Sequence, residues 1–419
     1  MAKCAIKGGN SVRTKSWPAW PTYTEREKEL LLKVLESRNW GGYPSPNVYA
    51  KKFGAAFAEY HDAKYGVCCA NGTVSLEMCL RAGGLKAGDE VIVPPYTWIA
   101  TAVAAVTLNC VPVFADVTAA NYTIDPDIVE SLITDKTRAI ICVHLGSSIA
   151  DLDRLKDIAQ KHDLILVEDC AHMHGGKWRG KGVGSHGDFG SFSMQSSKLM
   201  TSGEGGVVTT NDHTFNQKLL SLVNCGRKGA GYDDFEGNLL GWNYRIGEFQ
   251  AAVLLAQLER LEEATKHRAA NAAYLTEQLD AIEGIATIKY DERTTQPAHY
   301  QYIFKYDPAG FKGLHRDKFL EALAAEGMFF DGDFYEPIPG RDIVPLRASE
   351  YPMLRARYGD ECNAANGGDF PVTRKATFDE AVWMHYPYLM GGKEDIDDIV
   401  AAIRKIQDNV DELDRKSVV

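Results

Sequence analysis

Apolar positions along the chain follow two different spacings. Between Thr24 and Ser37, Leu30, Leu31, Val34 and Leu35 repeat at the interval of an amphipathic helix. Thr24 followed three residues later by Glu27 supplies a capping box at its start. The glycine- and proline-rich stretch 41–46 predicts a loop before a second helix around Tyr49–Tyr60. From residue 66 onward, short apolar runs at Val91–Val93, Val111–Phe114, Ala139–Val143 and Leu164–Val167 alternate with helical patterns at 73–82, 98–107, 126–133 and 151–161. That alternation predicts an α/β unit, a mainly parallel sheet with crossover helices on both faces. Asp125 before Pro126 is a cap followed by proline at the first helical position, and Gly83-Gly84 closes the helix before it.

Farther on, Ile246, Phe249, Val253, Leu254, Leu258 and Leu261 predict one long helix reaching about residue 280, of a kind that joins two domains. A strand at Tyr300–Tyr306, a helix at Arg316–Glu326, a loop-rich stretch at 331–368 and a final helix at Asp395–Asn409 then predict a smaller α+β unit. A chain of 419 residues exceeds one ordinary core. The expected division is an N-terminal arm (1–30), a large domain (31–265) and a small C-terminal domain (266–419).

Composition removes several classes of function. The net charge of −11 is spread without a basic run, so nucleic acid is not an expected partner. No apolar run reaches membrane-spanning length, and the stretch Cys4–Ile6 is too short for a signal-peptide core, so a cytoplasmic protein is expected. Nine cysteines, an odd number without a C-x-x-C pair, fit neither a disulfide framework nor a zinc site. Cys170, His172 and His174, spaced i, i+2, i+4 after a strand, are not expected to converge on an ion, and no metal is expected.

Four segments carry candidate chemistry. The apolar run Leu164–Val167 ends in Glu168-Asp169, which places Asp169 where open α/β sheets bind ligands. An ionised carboxylate there can keep a pyridine nitrogen protonated, or it can simply cap the following turn. Lys198 lies among small polar residues with glycines on both sides. Such a lysine either approaches an aldehyde with a depressed pKa or waits in a surface loop. Asn71-Gly72-Thr73 opens a helix whose amides suit a phosphate, with Ser193 as a further hydroxyl; Thr73 as a plain N-cap is the other reading. Trp98, just after the run Val91–Val93, can stack on a flat ring or belong to the core or an interface. His172, three residues after Asp169, can touch a cofactor oxygen or satisfy a buried turn.

The order of these signals, phosphate turn, aromatic, strand-end Asp, then Lys, is far narrower than any one of them. With NGT (71–73), GDEVIVPPYTWIAT (88–101), VFADV (113–117), IDP (124–126), EDCAHMHG (168–175), FSMQSSKLMTSGEGG (192–206) and GWNYRIGEFQAAV (241–253), the chain resembles the DegT/DnrJ/EryC1/StrS sugar aminotransferases over nearly all its length. The resemblance implies the aspartate-aminotransferase fold, fold type I of the pyridoxal-phosphate enzymes, and pyridoxal 5'-phosphate as cofactor. By the same resemblance, Lys198 is the Schiff-base lysine, Asp169 the partner of the pyridine nitrogen, His172 a contact to the ring oxygen and Trp98 the stacking residue. Gly72, Thr73 and Ser193 bind the phosphate, which Asn243 reaches from a neighbouring subunit, so a homodimer with a shared site is implied. Family dehydrases carry His where this chain has Lys198.

Where members acting on nucleotide-linked keto-sugars have Tyr-x-Pro-x-His, this chain reads Tyr335-Glu-Pro-Ile-Pro339. The segment 370–390 and the opening Trp17-Pro-Ala-Trp20-Pro are instead similar to the branch with the glutamine:2-deoxy-scyllo-inosose and scyllo-inosose aminotransferases and 3-amino-5-hydroxybenzoate synthase. The implied activity is amino transfer from L-glutamine or L-glutamate to a keto-cyclitol or keto-sugar. An aromatising dehydratase of the aminohydroxybenzoate type and a nucleotide keto-sugar aminotransferase are the alternatives within the family. A dinucleotide-dependent oxidoreductase would need G-x-G-x-x-G directly after the first strand, and the nearby glycine pattern, Gly182–Gly187, is expected to follow no strand.

Overall fold

The structure, a computed structural model, describes residues 3–229, 231–340, 346–359 and 368–413. Helix α1 (Glu25–Ser37) opens with the expected capping box: the Thr24 amide donates to Glu27 Oε2 at 2.9 Å, and Thr24 Oγ1 accepts from the Arg26 amide at 3.2 Å. Helix α2 (Val48–Tyr60) is capped from far away in sequence, because buried Glu248 accepts from the amides of Tyr49 and Ala50.

The large unit continues as β1 (Tyr65–Cys69), α3 (Gly72–Ala82), β2 (Glu90–Val93), α4 (Ala100–Thr107), β3 (Val111–Phe114), α5 (Pro126–Ser131), β4 (Thr137–Val143), α6 (Leu152–His162) and β5 (Ile165–Asp169). Two-residue strands β6 (Lys177–Trp178) and β7 (Lys181–Gly182), then β8 (Phe189–Ser193), β9 (Gly206–Thr210) and α7 (His213–Val223), complete it. The central sheet has the order β1-β9-β8-β5-β4-β2-β3. Only β9 runs against the other six, so the mainly parallel sheet expected from the alternation is present. Strands β2 to β4 are apolar almost throughout, as a sheet covered by helices on both faces requires.

Strands β8 and β9 carried no clear apolar signal, since close packing rather than alternation makes them. A Cβ on Gly190 would lie 2.3 Å from Gly184 Cα, so a polypeptide edge stands where a side chain would otherwise point. The glycines from Gly182 to Gly187 lie around this crossing, and no helix follows them.

The predicted long helix is two helices, α8 (Glu248–Leu258) and α9 (Leu261–Leu279). Beyond them come β10 (Ile285–Thr287), β11 (Thr294–Gln296), β12 (Gln301–Tyr306), α10 (Arg316–Ala325), α11 (Arg355–Tyr358), α12 (Pro371–Lys375), β13 (Ala381–His385), α13 (Lys393–Asp408) and α14 (Val410–Leu413). The break at Glu259-Arg260 arises because the halves serve different partners: α8 packs on α1 and α2, and α9 on α13. Arg260 pins the corner by donating to Thr22 O at 3.0 Å and pairing with Glu27. Apolar spacing runs through such a corner unchanged, which is why the sequence read as one helix.

Two main hydrophobic clusters result. One surrounds the central sheet (Val91, Ile140, Val167), and the other lies between α9, β12, α10 and α13 (Leu275, Phe304, Phe319, Ile399). The chain ends cross between them. Cys4 belongs to the second cluster, and Ile338, Leu354, Phe370 and Tyr386 return to the first. Among the described residues no helix is long and apolar enough to cross a membrane.

Candidate active site

A cavity of about 770 Å³ opens at the carboxyl ends of β2, β5 and β8. Gly72, Thr73, Trp98, Asp169, His172, Ser193 and Lys198 all stand on its wall, although the sequence spreads them over more than a hundred positions. Asn243 does not. It is exposed and forms a β-bridge to the buried Asn224 of the same chain.

Asp169 ends β5 inside the protein. Its Oδ1 accepts from the Ala171 amide at 3.2 Å, so it does cap the turn, while Oδ2 accepts from the Thr101 hydroxyl at 3.0 Å and faces the cavity. Burial pushes its pKa up against those two hydrogen bonds and the Lys198 charge. Its ionised form is therefore favoured further by any cation placed in the cavity.

Lys198 occupies the turn after β8, with its amide donating to Gln195 O at 2.9 Å. Its Nζ lies 4.6 Å from the centre of the Tyr300 ring. Burial lowers the amine's pKa to about 8, opposed by the Asp169 charge. A lowered value means that the neutral, nucleophilic amine accumulates as pH rises through about 8 instead of 10.5. In cofactor-free protein, reductive alkylation of Lys198 by a simple aldehyde should therefore reach half its maximal rate near pH 8. A midpoint at or above pH 10 would contradict the buried environment.

His172 is buried between two tyrosines: its ring centre is 4.2 Å from that of Tyr300, and it lies parallel to Tyr335 within 7°. Burial, and then the Lys198 charge, hold its pKa well below the usual range, so the ring is neutral. The Gly146 amide donates to Nδ1 at 3.2 Å, which leaves the proton on Nε2, 2.9 Å from Tyr335 Oη. Tyr335 accepts there and keeps its own hydrogen for another acceptor.

The phosphate candidate lies at the start of α3. Asn71, not Thr73, caps α3, its side chain accepting from the Val74 amide at 3.0 Å. Gly72 and Thr73 are the first residues of that helix, where no carbonyl one turn back exists to accept their amides. A Cβ on Gly72 would come within 2.5 Å of Ser193 Cβ. Only glycine lets the helix start and the end of β8 meet this closely. Trp98 is 50% exposed, which excludes the core reading and leaves a ring standing at the cavity wall, 6.5 Å from Tyr335.

Glu168, one residue before Asp169, is directed elsewhere. Its carboxylate accepts from the amides of Gly184, His186 and Gly187 at 2.7–2.8 Å and meets His144 Nε2 at 3.1 Å. Burial disfavours its charge, yet the His144 contact and charge and the backbone donors hold its carboxyl at about 2. His144, Glu168 and Cys170 lie close enough together to suggest a metal. The lone pairs of His144 and Glu168 are spent, since His144 Nδ1 also accepts from the Ala150 amide, and Cys170 Sγ donates to Glu168 O. Among the described residues Cys170, His172 and His174 form no such group.

Sequence reasoning missed Thr101, Tyr300, Phe334 and the part played by Tyr335. Thr101 offered a faint signal as a hydroxyl in an otherwise apolar helix start, but Tyr300 and Phe334 offered none, because only tertiary packing against the cluster around the central sheet brings them to the cavity.

Comparison with known proteins completes the picture. The family model of the DegT/DnrJ/EryC1/StrS aminotransferases matches residues 21–404. A protein of Streptoalloteichus tenebrarius, provisionally named L-glutamine:3-amino-2,3-dideoxy-scyllo-inosose aminotransferase, is 47% identical over 98% of this chain and 99% of its own. The L-glutamine:2-deoxy-scyllo-inosose aminotransferase of Micromonospora echinospora is 38% identical over 99% of this chain and 100% of its own. The crystal structure of 3-amino-5-hydroxybenzoic acid synthase superposes with a TM-score of 0.81 at 32% identity, covering 96% of this chain and 100% of that one. With these candidate residues gathered on the wall of one cavity, the chain belongs to the DegT/DnrJ/EryC1/StrS aminotransferase family and has its aspartate-aminotransferase fold.

Proposed function

We propose that this transaminase uses pyridoxal 5'-phosphate to carry an amino group from L-glutamine, or L-glutamate, to a free keto-cyclitol of the scyllo-inosose type. The observation that carries the reading is the single cavity with a helix start approached by Ser193 at one side, a buried strand-end carboxylate, and a lysine of lowered pKa. These residues fit the cofactor. Gly72, Thr73 and Ser193 would hold its phosphate, Asp169 its ring nitrogen, Lys198 its aldehyde carbon and Trp98 one ring face. Bound, the cofactor supplies an aldehyde and an electron-accepting ring.

The chain's own residues do the rest. Asp169 keeps a proton on the ring nitrogen because a buried carboxylate favours an opposite charge beside it. Lys198, once freed from the aldehyde, takes and returns the proton moved between carbon atoms, a task suited to an amine with a pKa of about 8. His172, both of whose nitrogens are engaged, holds the Tyr335 hydroxyl in place.

Two observations support an acceptor that carries no nucleotide diphosphate. The relatives above are named for inososes. Among the described residues, Lys198 is also the one lysine or arginine on the cavity wall, so a nucleotide diphosphate would find no second cation. The exposed Asn243 completes the phosphate site from a second copy in a homodimer. The chain divides into an arm (1–30), a large domain (31–265) and a small domain (266–419), and the enzyme works in the cytoplasm.

The test is to load the protein with pyridoxamine phosphate and offer keto-cyclitols and nucleotide-linked keto-sugars separately. Inosose-type ketones should restore the aldehyde absorbance at least tenfold faster. Faster recovery with a nucleotide keto-sugar would overturn the acceptor class, and water loss without consumption of donor would place the chain with the aromatising dehydratases instead.

A further inference from the structure

The turn bearing Lys198 is held from outside by two residues that lie far from it in sequence. Trp20, on the N-terminal arm, donates its indole N–H to Ser196 O at 3.1 Å. Tyr386, just after β13, donates its hydroxyl to Lys198 O at 3.3 Å. The two rings pack edge to face at 5.2 Å, so the donors brace each other. A third contact fixes the side of the turn: Ser197 Oγ donates to Gln195 Oε1 at 2.7 Å and so accepts from Tyr300 Oη at 2.9 Å.

This arrangement meets a physical need. Lys198 sits in a segment without helix or strand, between β8 and β9, and its side chain has four rotatable bonds. The position of its amine relative to Asp169 and Tyr300 is then only as well defined as its main chain. An amine held in place reacts as though it were highly concentrated, and one on a loose loop does not. The arm itself is firmly anchored. Arg13 pairs with Asp395 and Asp398 of α13, and the Trp17 indole donates to Gly327 O at 2.8 Å.

We propose that Trp20 and Tyr386 are positioning residues for Lys198, gripping the main chain on either side of the lysine so that its amine meets an aldehyde in the cavity. The inference rests on the reading of Lys198 as the cofactor-binding lysine. In the reaction that reports it, Nζ bonds to the aldehyde carbon, water leaves, and borohydride reduction fixes the adduct.

The experiment mixes cofactor-free protein with pyridoxal phosphate, quenches with borohydride at intervals and quantifies the adduct on the residue-198 peptide by mass spectrometry. W20F and Y386F each keep an aromatic ring and lose one hydrogen bond. Each should slow labelling about fivefold, the usual worth of one such bond, and the double variant at least tenfold. Amide hydrogen exchange in the 195–200 segment should quicken in the same variants, and kcat should fall with the donor KM unchanged. W17F, which loosens the same arm away from the lysine, should label within twofold of the wild type. Unchanged rates in W20F and Y386F, or a W17F as slow as W20F, would overturn the inference alone. Labelling of the wild-type chain at another residue would remove the reading of Lys198 and this inference with it.

Discussion

Replacing Lys198 by alanine is expected to lower turnover by roughly 10³- to 10⁴-fold, the loss typical of removing a positioned proton-transfer group that also attacks covalently. The fold should survive. Among the described residues Nζ forms no hydrogen bond or ion pair, and it lies over the face of Tyr300. Below about pH 8 the amine is protonated in both folded and unfolded chains, and the folded state bears the cost of burying that charge. The cost fades as pH rises from about 8 toward 10.5, where only the unfolded chain still holds the proton. The variant should therefore melt no lower than the wild type at pH 7. Steady-state turnover with glutamine and an inosose, beside a thermal melt, checks both halves. A variant working within tenfold of the wild type would show that another group moves the proton.

Glu168→Gln should be the most damaging change just outside the cavity, costing roughly 3–5 kcal/mol of stability, the range for breaking a buried, fully hydrogen-bonded charge. The carboxylate takes four donors: three amides and the His144 ring. An amide side chain must turn its own N–H groups toward some of them, leaving buried donors facing donors. The pH dependence follows from the lowered pKa. Glu168 contributes its stability fully above the unfolded value near 4.5, and the contribution is lost as pH falls through about 2. The gap between wild type and variant, measured by denaturant unfolding, should be widest near pH 7 and close as pH drops below 4.5. Equal stability at pH 7 would refute the account. Activity should fall as well, because the His144 amide holds Asp169 O at 3.0 Å and a displaced His144 shifts that strand end.

Glu168 and Asp169 also show where reading the sequence stops. Both follow the same apolar run, and strand alternation sends them to opposite faces without saying which face holds the ligand. Packing of the turn at 184–187 against one side decided that Glu168 would be consumed by amides and Asp169 left to the cavity. Gly72 was legible as a helix start, but the reason it must be glycine is Ser193, brought there by the pairing of β1 with β9 and β9 with β8. The broken helix at Glu259-Arg260 is a similar case, since hydrophobic spacing records which face is buried and not the direction of the axis.

What the sequence determined by itself was everything set by local spacing. The alternation of strands and helices, the carboxylate at the end of an apolar strand and the lysine among glycines were each fixed within windows of a few residues, and their order by the chain from residue 71 to 198. Only the tertiary structure decided which distant groups complete the site: Thr101 on Asp169, Tyr335 on His172, Tyr300 beneath Lys198, and Trp20 and Tyr386 on its main chain. The physical reason is that a hydrogen bond or ring contact depends on separation in space, and the hydrophobic clusters that set those separations join segments that no local pattern connects.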